Sequence, residues 1–407
     1  MKIHIQGVEN KLISGHLSIS GSKSKSNRLL ILQKLFPEIA IENVSDSDDT
    51  HHLQEALSTK KNEINIGHAG TAMRFLTAFF AIQKGRMVII SGSDRMHNRP
   101  IQILVGALKD LGADISYIDK GGYPPLKISG KKLTKDFVKI RGNVSSQYIS
   151  ALLLIATRLT HGLTIELLGE ITSIPYINMT LSLLNQLGVE TYFENQIIKV
   201  KPLRGFKKQS VVVESDWSSA SYFYSVAALS SLGSEITLSS YKKESLQGDA
   251  VLAAIYEYFG VKTIFKENTI VLKKVAASCK KPLEIDLNKA PDIAQTIAVT
   301  CFGLQIGCRL TGLHTLKIKE ADRLEALKNE LTKLGADITV TNERLDLKPA
   351  SKIHSGVAIE TYHDHRMAMA FAPLGLLTSL YILDANVVTK SYRNFWQDMK
   401  QLGYILS

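Results

Sequence analysis

Four segments of this 407-residue chain follow one pattern: "ALKDLGADISYI", "LLNQLGVETYF", "AIYEYFGVKTIF" and "ELTKLGADITV". Each is the end of an amphipathic helix, then Leu-Gly or Phe-Gly, then a short alternating strand. A glycine just past the last apolar helical residue is the expected helix stop. These glycines are Gly112, Gly188, Gly260 and Gly335, spaced by about 75 residues. Two weaker copies, "LQKLFPEIAI" near Phe36 and "MKQLGYIL" near Gly403, extend the series. After most copies comes a second strand: "PPLKIS", "QIIKV", "NTIVL" and "LDLKP". The unit reads helix–strand–strand, repeated about six times, and is longer than a solenoid repeat. It predicts similar α/β modules packed around a common core. The chain is too long for one ordinary core, so the modules should split between two domains.

The helices that should fill those cores are "AMRFLTAFFAI", "SALLLIATRL" and "AQTIAVTCFGLQIG", apolar on most faces. The first strand is read as "HLSISG", running straight into "GSKSKSNRLL". A second crossing falls near "VVVESDWSSAS". The expected organisation is a discontinuous first domain, residues 1–20 and 214–407, with residues 21–213 inserted as the second. The active site is expected in the cleft between them, a favoured place for ligands.

The net charge of +11 admits nucleic acid, anionic lipid or small anionic substrates as partners. Nucleic-acid binders interleave basic residues with exposed aromatics or cluster them along one helix. Here aromatics are 7% and the lysines are scattered, so the least specific reading puts much of the excess on solvated surface, with a share of it lining an anion pocket. The longest apolar runs are too short to cross a bilayer. Cys279, Cys301 and Cys308 form no CxxC pair, which fits a reducing cytoplasm, and the opening "MKIHIQGVEN" has no signal-like apolar region.

Polar residues concentrate where helices should begin. "GSKSKSNRLL" puts Lys23, Ser24 and Arg28 at a helix start, where unpaired N–H groups and the dipole favour an anion. Its other reading is a solvated turn capped by Ser26. "GHAGTAMRFL" brings Gly70 and Thr71 to a second start, "SDRMHNRP" supplies Arg99, and "RGNVSSQYIS" places Ser145, Ser146 and Gln147 at a third. "SIPYIN" offers Ser173 and Tyr176. "APDIAQT" puts Asp292 at an N-cap or in a first turn; "KIKEADRLEAL" offers Lys319, Glu320 and Arg323. "YHDHRMAMAF" contributes His365 and Arg366, and "TKSYRNF" Lys390. Singly, most have a structural alternative. Asp292, Ser145 and Ser146 can be caps, and Glu320 with Arg323 a helix-surface pair. Together, five helix starts carrying such groups point to a small, multiply anionic substrate. The "HDH" run lacks a companion cluster at ligand spacing, so no metal is expected.

These motifs, with "SSASYF" and in this order from Gly21 to Lys390, resemble the EPSP synthases, enolpyruvyl transferases of the shikimate pathway. The resemblance implies two inverse αβ barrel domains of three repeated units each, and catalysis without metal or organic cofactor. It implies attack of the 5-hydroxyl of shikimate 3-phosphate on C2 of phosphoenolpyruvate, protonation at C3, then loss of phosphate. By the same resemblance, phosphoenolpyruvate falls to Lys23, Gly70, Arg99, Gln147, Arg323, Arg366 and Lys390. Shikimate 3-phosphate falls to Lys23, Ser24, Arg28, Ser145, Ser146, Gln147, Ser173, Tyr176, Asp292 and Lys319. Asp292 and Glu320 are placed for proton transfer, with Lys23 assisting at the departing phosphate and His365 a lesser candidate. Glyphosate is expected to compete at Gly70. The chain departs from the family at His68, Phe75 and Thr315, where Asn, Pro and Asn are usual.

Two rivals remain. The sister enzyme using UDP-N-acetylglucosamine commonly carries a loop cysteine in its first half, and none occurs here before Cys279. A non-catalytic polyanion- or RNA-binding protein on the same repeat rests on net charge alone. The expected partners are therefore small anionic substrates, with no nucleic acid and no membrane, for a cytoplasmic monomer.

Overall fold

The computed structural model describes residues 1–8, 10–143, 145–171, 174–205, 207–319 and 321–407. The chain divides into two compact units, one of Met1–Ser20 with Glu214–Ser407, the other of Gly21–Val213.

The repeat is longer than a helix–strand–strand unit. In the inserted unit, strand Glu63–Asn65 leads into helix Gly70–Ala81 and strand Met87–Ser91. Helix Gln102–Asp110 and strands Asp114–Tyr117 and Leu126–Ser129 follow. The first two strands pair in parallel, and the last two add antiparallel in inverted order. The recurring unit is thus strand–helix–strand–helix–strand–strand, of which the glycine pattern marks only the second half. The same order recurs from Phe137–Arg141 to Ile197–Val200 and from Leu283–Asp286 to Leu345–Leu347. A fourth copy is interrupted: its first strand Ser14–Leu17 pairs in parallel with Glu235–Ser239, the whole inserted unit lying between them in sequence.

The weaker copies are reduced versions. Near Phe36 there is no glycine stop, and strand Ile39–Glu42 pairs, among the described residues, with Gln209–Val212 alone. Near Gly403 the sheet is completed from the other chain end, as Ile3–Ile5 pairs with Leu380–Ile382. The first strand is therefore Ile3–Ile5, one earlier than "HLSISG" suggested. It is short and closes its sheet only through a partner some 380 residues away, which local periodicity does not reveal. Gly112, Gly188, Gly260, Gly335 and Gly403 all take positive φ, the left-handed stop that glycine adopts without steric cost.

Each unit is built on three buried helices. In the inserted unit they are Lys23–Leu35, Gly70–Ala81 and Ser146–Ala156; in the other, Trp217–Leu229, Ala294–Gly303 and His365–Phe371. Within each unit these three pack on one another. Five of the six are apolar on most faces because they are enclosed: Leu152, Leu153, Phe223, Ile297 and Phe371 are all fully buried. The Lys23–Leu35 helix has a polar first half and keeps Lys34 exposed. The sheets lie against them with one face outward, hence the alternation in Phe137–Arg141 and Leu163–Leu168. Each unit has its own hydrophobic core. Among the described residues no helix is long and apolar enough to cross a membrane.

Candidate active site

The five helix starts singled out in the sequence all begin helices, with a single turn, Pro291–Ile293, preceding Ala294–Gly303. In the inserted unit the three starts carry no carboxylate in their first turns. The Lys23–Leu35 helix begins after Ser22, without a side-chain cap. Ser26 is not the cap. It is buried one turn in, and its hydroxyl accepts from the Ser45 amide at 2.9 Å. Gly21 lies against the Asn43 carbonyl and 2.9 Å from Val213 Cγ1 on a built Cβ, so no larger residue fits the crossing.

Lys23 ion-pairs with Asp49 at 3.1 Å, a partner that the sequence reading missed. Arg28 is 2% exposed. It donates to Thr180 Oγ1 (2.7 Å), the Ser24 carbonyl (2.8 Å), Ser150 Oγ (2.9 Å) and the Tyr176 carbonyl (3.3 Å). Burial lowers its pKa to about 10, still cationic at neutral pH. The Phe75 ring packs on this arginine, 5.4 Å from the guanidinium carbon. That accounts physically for one departure from the family pattern. A second, His68, hydrogen-bonds Ser93 Oγ at 2.7 Å.

Arg99 packs directly on Gly70, its guanidinium carbon 2.8 Å from where a Cβ would stand. The loop that aims it is pinned by the Pro100 carbonyl, which accepts from buried Arg74 (3.1 Å) and from Tyr148 Oη (2.6 Å). Ser145 caps its helix by accepting from the Gln147 amide at 3.3 Å. The Gln147 side chain donates to Thr71 Oγ1 at 3.1 Å and so ties the second helix start to the third. Of the candidates in this unit, Ser173 lies outside the described residues.

In the other unit the helix starts bring carboxylates and cations together. Asp292 is not an N-cap; it sits in the first turn with no capping bond. Its carboxylate meets Arg323 at 2.9 Å, Arg366 at 3.3 Å and Lys319 at 3.5 Å. Arg323 is not half of a surface pair either: it is 2% exposed and bonds the fully buried Asp364 at 2.6 Å. Asp364 caps the His365–Phe371 helix, and the buried His365 lies beside it at 3.7 Å. Arg366 also donates to the Asp292 carbonyl at 3.1 Å. Lys390 is buried and ends the Ala385–Lys390 turn, and that turn packs on the same helix. Thr315, the third departure, has a buried hydroxyl with no hydrogen-bond partner among the described residues. Glu320 lies outside the described residues.

Asp49, Arg74 and Asp364 are partners that the sequence reading did not find, as are Ser218, which accepts from Arg366 at 3.4 Å, and Asp249, which accepts from Ser218. Asp364 was legible as a cap, an Asp directly before an apolar helix. Asp249 stands in "LQGDAVLAAI" with a similar local signal, but nothing in its spacing connects it to Asp292. Among the described residues no three His, Cys, Asp or Glu side chains group to hold a metal ion.

This arrangement suits the binding of anions. Three cations gathered around one carboxylate leave a surplus of positive charge, which attracts phosphates and carboxylates. Over residues 54–399 the chain matches the sequence model of EPSP synthase (3-phosphoshikimate 1-carboxyvinyltransferase). It is 44% identical to the 3-phosphoshikimate 1-carboxyvinyltransferase of Bacteroides fragilis strain YCH46, over 96% of each chain. It is 34% identical to that of Mannheimia haemolytica, over 96% of this chain and 97% of the relative. In fold it resembles EPSP synthase from Acinetobacter baumannii, with TM-score 0.81, 21% identity and 100% and 99% of the two chains covered. It also resembles the enolpyruvyl transferase NikO from Streptomyces tendae, with TM-score 0.74, 15% identity and 100% and 98% covered. A repeat of six α/β units, helix starts loaded with cations and hydroxyls, and a match along most of the sequence lead to one assignment: the chain belongs to the EPSP synthase family.

Proposed function

We propose that this protein transfers the enolpyruvyl group of phosphoenolpyruvate to the 5-hydroxyl of shikimate 3-phosphate, releasing phosphate. The observation that carries the reading is Asp292, held at a helix start by Arg323, Arg366 and Lys319, in a chain of this family. Asp292 takes the proton of the 5-hydroxyl as its oxygen bonds to C2. A proton adds at C3, from Glu320 in this proposal, and gives a tetrahedral intermediate. Loss of a C3 proton and of the phosphate then restores the double bond, with Lys23 offsetting the charge on the departing phosphate.

Residues of both units act on the same two substrates in this reading. Lys23, Gly70, Arg99, Gln147, Arg323, Arg366 and Lys390 serve phosphoenolpyruvate. Lys23, Ser24, Arg28, Ser145, Ser146, Gln147, Ser173, Tyr176, Asp292 and Lys319 serve shikimate 3-phosphate, and His365 is a secondary proton carrier. Arg28 spends four donor contacts on protein oxygens, and one Nη1–H remains for a ligand. Its larger contribution is a fixed positive charge. The absence of any cysteine before Cys279 and the curated relatives favour this acceptor over UDP-N-acetylglucosamine. A monomer without nucleic-acid partners is part of the proposal. So is a cytoplasmic location, which three free thiols support. The deciding experiment is phosphate release from phosphoenolpyruvate with each acceptor supplied in turn. Release with UDP-N-acetylglucosamine and none with shikimate 3-phosphate would reject the reading.

A further inference from the structure

Behind the Asp292–Arg366 pair lies a carboxylate that the reaction as described does not use. Asp249 belongs to the single turn Gly248–Val251 and is 4% exposed. Its Oδ2 accepts a hydrogen bond from Ser218 Oγ, in the first turn of the Trp217–Leu229 helix. Ser218 Oγ in turn accepts from Arg366 Nη2 at 3.4 Å. The same guanidinium donates to the Asp292 carbonyl at 3.1 Å and meets its carboxylate at 3.3 Å. A serine hydroxyl has one hydrogen. While Asp249 takes it, the serine oxygen turns its lone pairs toward Arg366.

We propose that Asp249 is a positioning residue for phosphoenolpyruvate binding: through the Ser218 hydroxyl it fixes the guanidinium of Arg366. The inference rests on the functional reading above, which gives Arg366 to phosphoenolpyruvate.

The frame around Asp249 is rigid enough for such a task. Buried Glu214 accepts from Trp217 Nε1 (2.9 Å), the Lys242 amide (3.1 Å), Ser245 Oγ (2.7 Å) and Gln247 Nε2 (3.2 Å). Gln247 further bonds the Ser215 carbonyl at 2.8 Å and the Trp217 amide at 3.0 Å. The segment before Asp249 and the segment before Ser218 are thus tied to each other, and the two side chains meet in one geometry. The charged groups facing Asp249 are Asp292, Arg366 and Asp216. Two of the three are carboxylates. Burial first, and Asp292 next, push the Asp249 pKa up to about 6. A charge in such a place costs the fold stability above that pH. A neutral Asn would avoid that cost, but its amide can donate as well as accept and so would not hold the serine hydrogen in one direction, as an acceptor-only carboxylate does. The carboxylate is therefore better explained by Arg366 than by packing.

The test compares wild type, Asp249→Asn, Ser218→Ala and the double variant. Turnover and KM for each substrate are measured from about pH 5 to pH 9, with melting temperatures alongside. The expected result is a KM for phosphoenolpyruvate raised about tenfold in each single variant, with the KM for shikimate 3-phosphate little changed. The double variant should be no worse than either single one, because both act through one chain of bonds. Wild-type kcat/KM for phosphoenolpyruvate should fall as Asp249 protonates near pH 6, and Asp249→Asn should lack that limb. The melting temperature of Asp249→Asn at neutral pH should hold or rise. A merely structural Asp249 would instead lower it and raise both KM values together. An unchanged phosphoenolpyruvate KM, multiplicative single effects, or a limb near pH 6 surviving in Asp249→Asn would each overturn the proposal. A wild type that turns nothing over would reject the functional reading instead. The Asp249 inference would then be decided by crystal structures of wild type and Asp249→Asn, with an unmoved Arg366 overturning it.

Discussion

Asp292 and Arg323 share one hydrogen bond, yet their replacement should have different consequences. Asp292→Asn leaves Arg323 on Asp364, so the fold keeps its buried pair. Turnover should fall by about two orders of magnitude or more, with the melting temperature nearly unchanged. Near-normal turnover by phosphate release would remove Asp292 from the chemistry. Arg323→Met instead strands the fully buried Asp364 without its partner. Urea denaturation should show a loss of about 3–5 kcal/mol. A loss within experimental error of zero would mean that Asp364 finds another donor. Gly70 is a third case. A methyl there runs into the Arg99 guanidinium, the far end of a flexible side chain, which can give way. Gly70→Ala should therefore fold, with a raised KM for phosphoenolpyruvate. The longer glyphosate should lose affinity by roughly tenfold more than phosphoenolpyruvate does. Equal proportional losses in the inhibition constant and KM would reject a steric preference at this glycine.

At the level of elements, the glycine stops are alike in sequence and unlike in surroundings. Gly188 has φ +85° and open space where a Cβ would go. Gly260 has φ +75°, and a Cβ there collides with the Ala276 carbonyl, whose carbon is 2.7 Å away. Gly188→Ala should cost only the left-handed backbone penalty, about 1–2 kcal/mol. Gly260→Ala should cost clearly more, because backbone rather than a side chain must move. Parallel denaturation curves decide it, and equal costs would mean that the Ala276 strand end yields freely. The six buried helices illustrate the same division of labour. Their apolar sides are written in each segment. Their role as the three-helix centre of each unit follows from packing against two others whose sequences lie far away.

For the whole molecule, the surplus of positive charge allows a measurement that separates an enzyme from a general polyanion binder. Shikimate 3-phosphate at about 100 times its dissociation constant should stabilise the native chain by roughly 2.7 kcal/mol. In the proposed reading the ligand meets enclosed charges such as Arg28, so a thermal melt should register a saturable shift that survives moderate salt. Binding to scattered surface lysines is screened and fades as salt rises. An equal, salt-resistant shift with single-stranded RNA and none with shikimate 3-phosphate would favour the polyanion reading.

Helix starts and stops were written locally. A stop needs one glycine after an apolar turn, and Gly112, Gly188, Gly260, Gly335 and Gly403 supply it. A start loaded with Lys23, Gly70, Ser145 or Asp292 is visible within a few residues, so the existence of a repeat and the places where helices begin were legible in sequence, while the first half of each repeating unit was not. The tertiary structure decided partners. Arg323 chose Asp364, 41 residues on, over a surface neighbour, and Asp249 reaches Arg366 through a serine 148 residues from that arginine. The first strand of one sheet found its mate across 221 residues, Leu17 against Leu238. The physical reason is range. Helix capping and amphipathic periodicity act within a turn or two of chain, whereas desolvated charges are satisfied by whatever the fold brings within about 3 Å. Identity and spacing along the chain do not encode that proximity; only the packed core does.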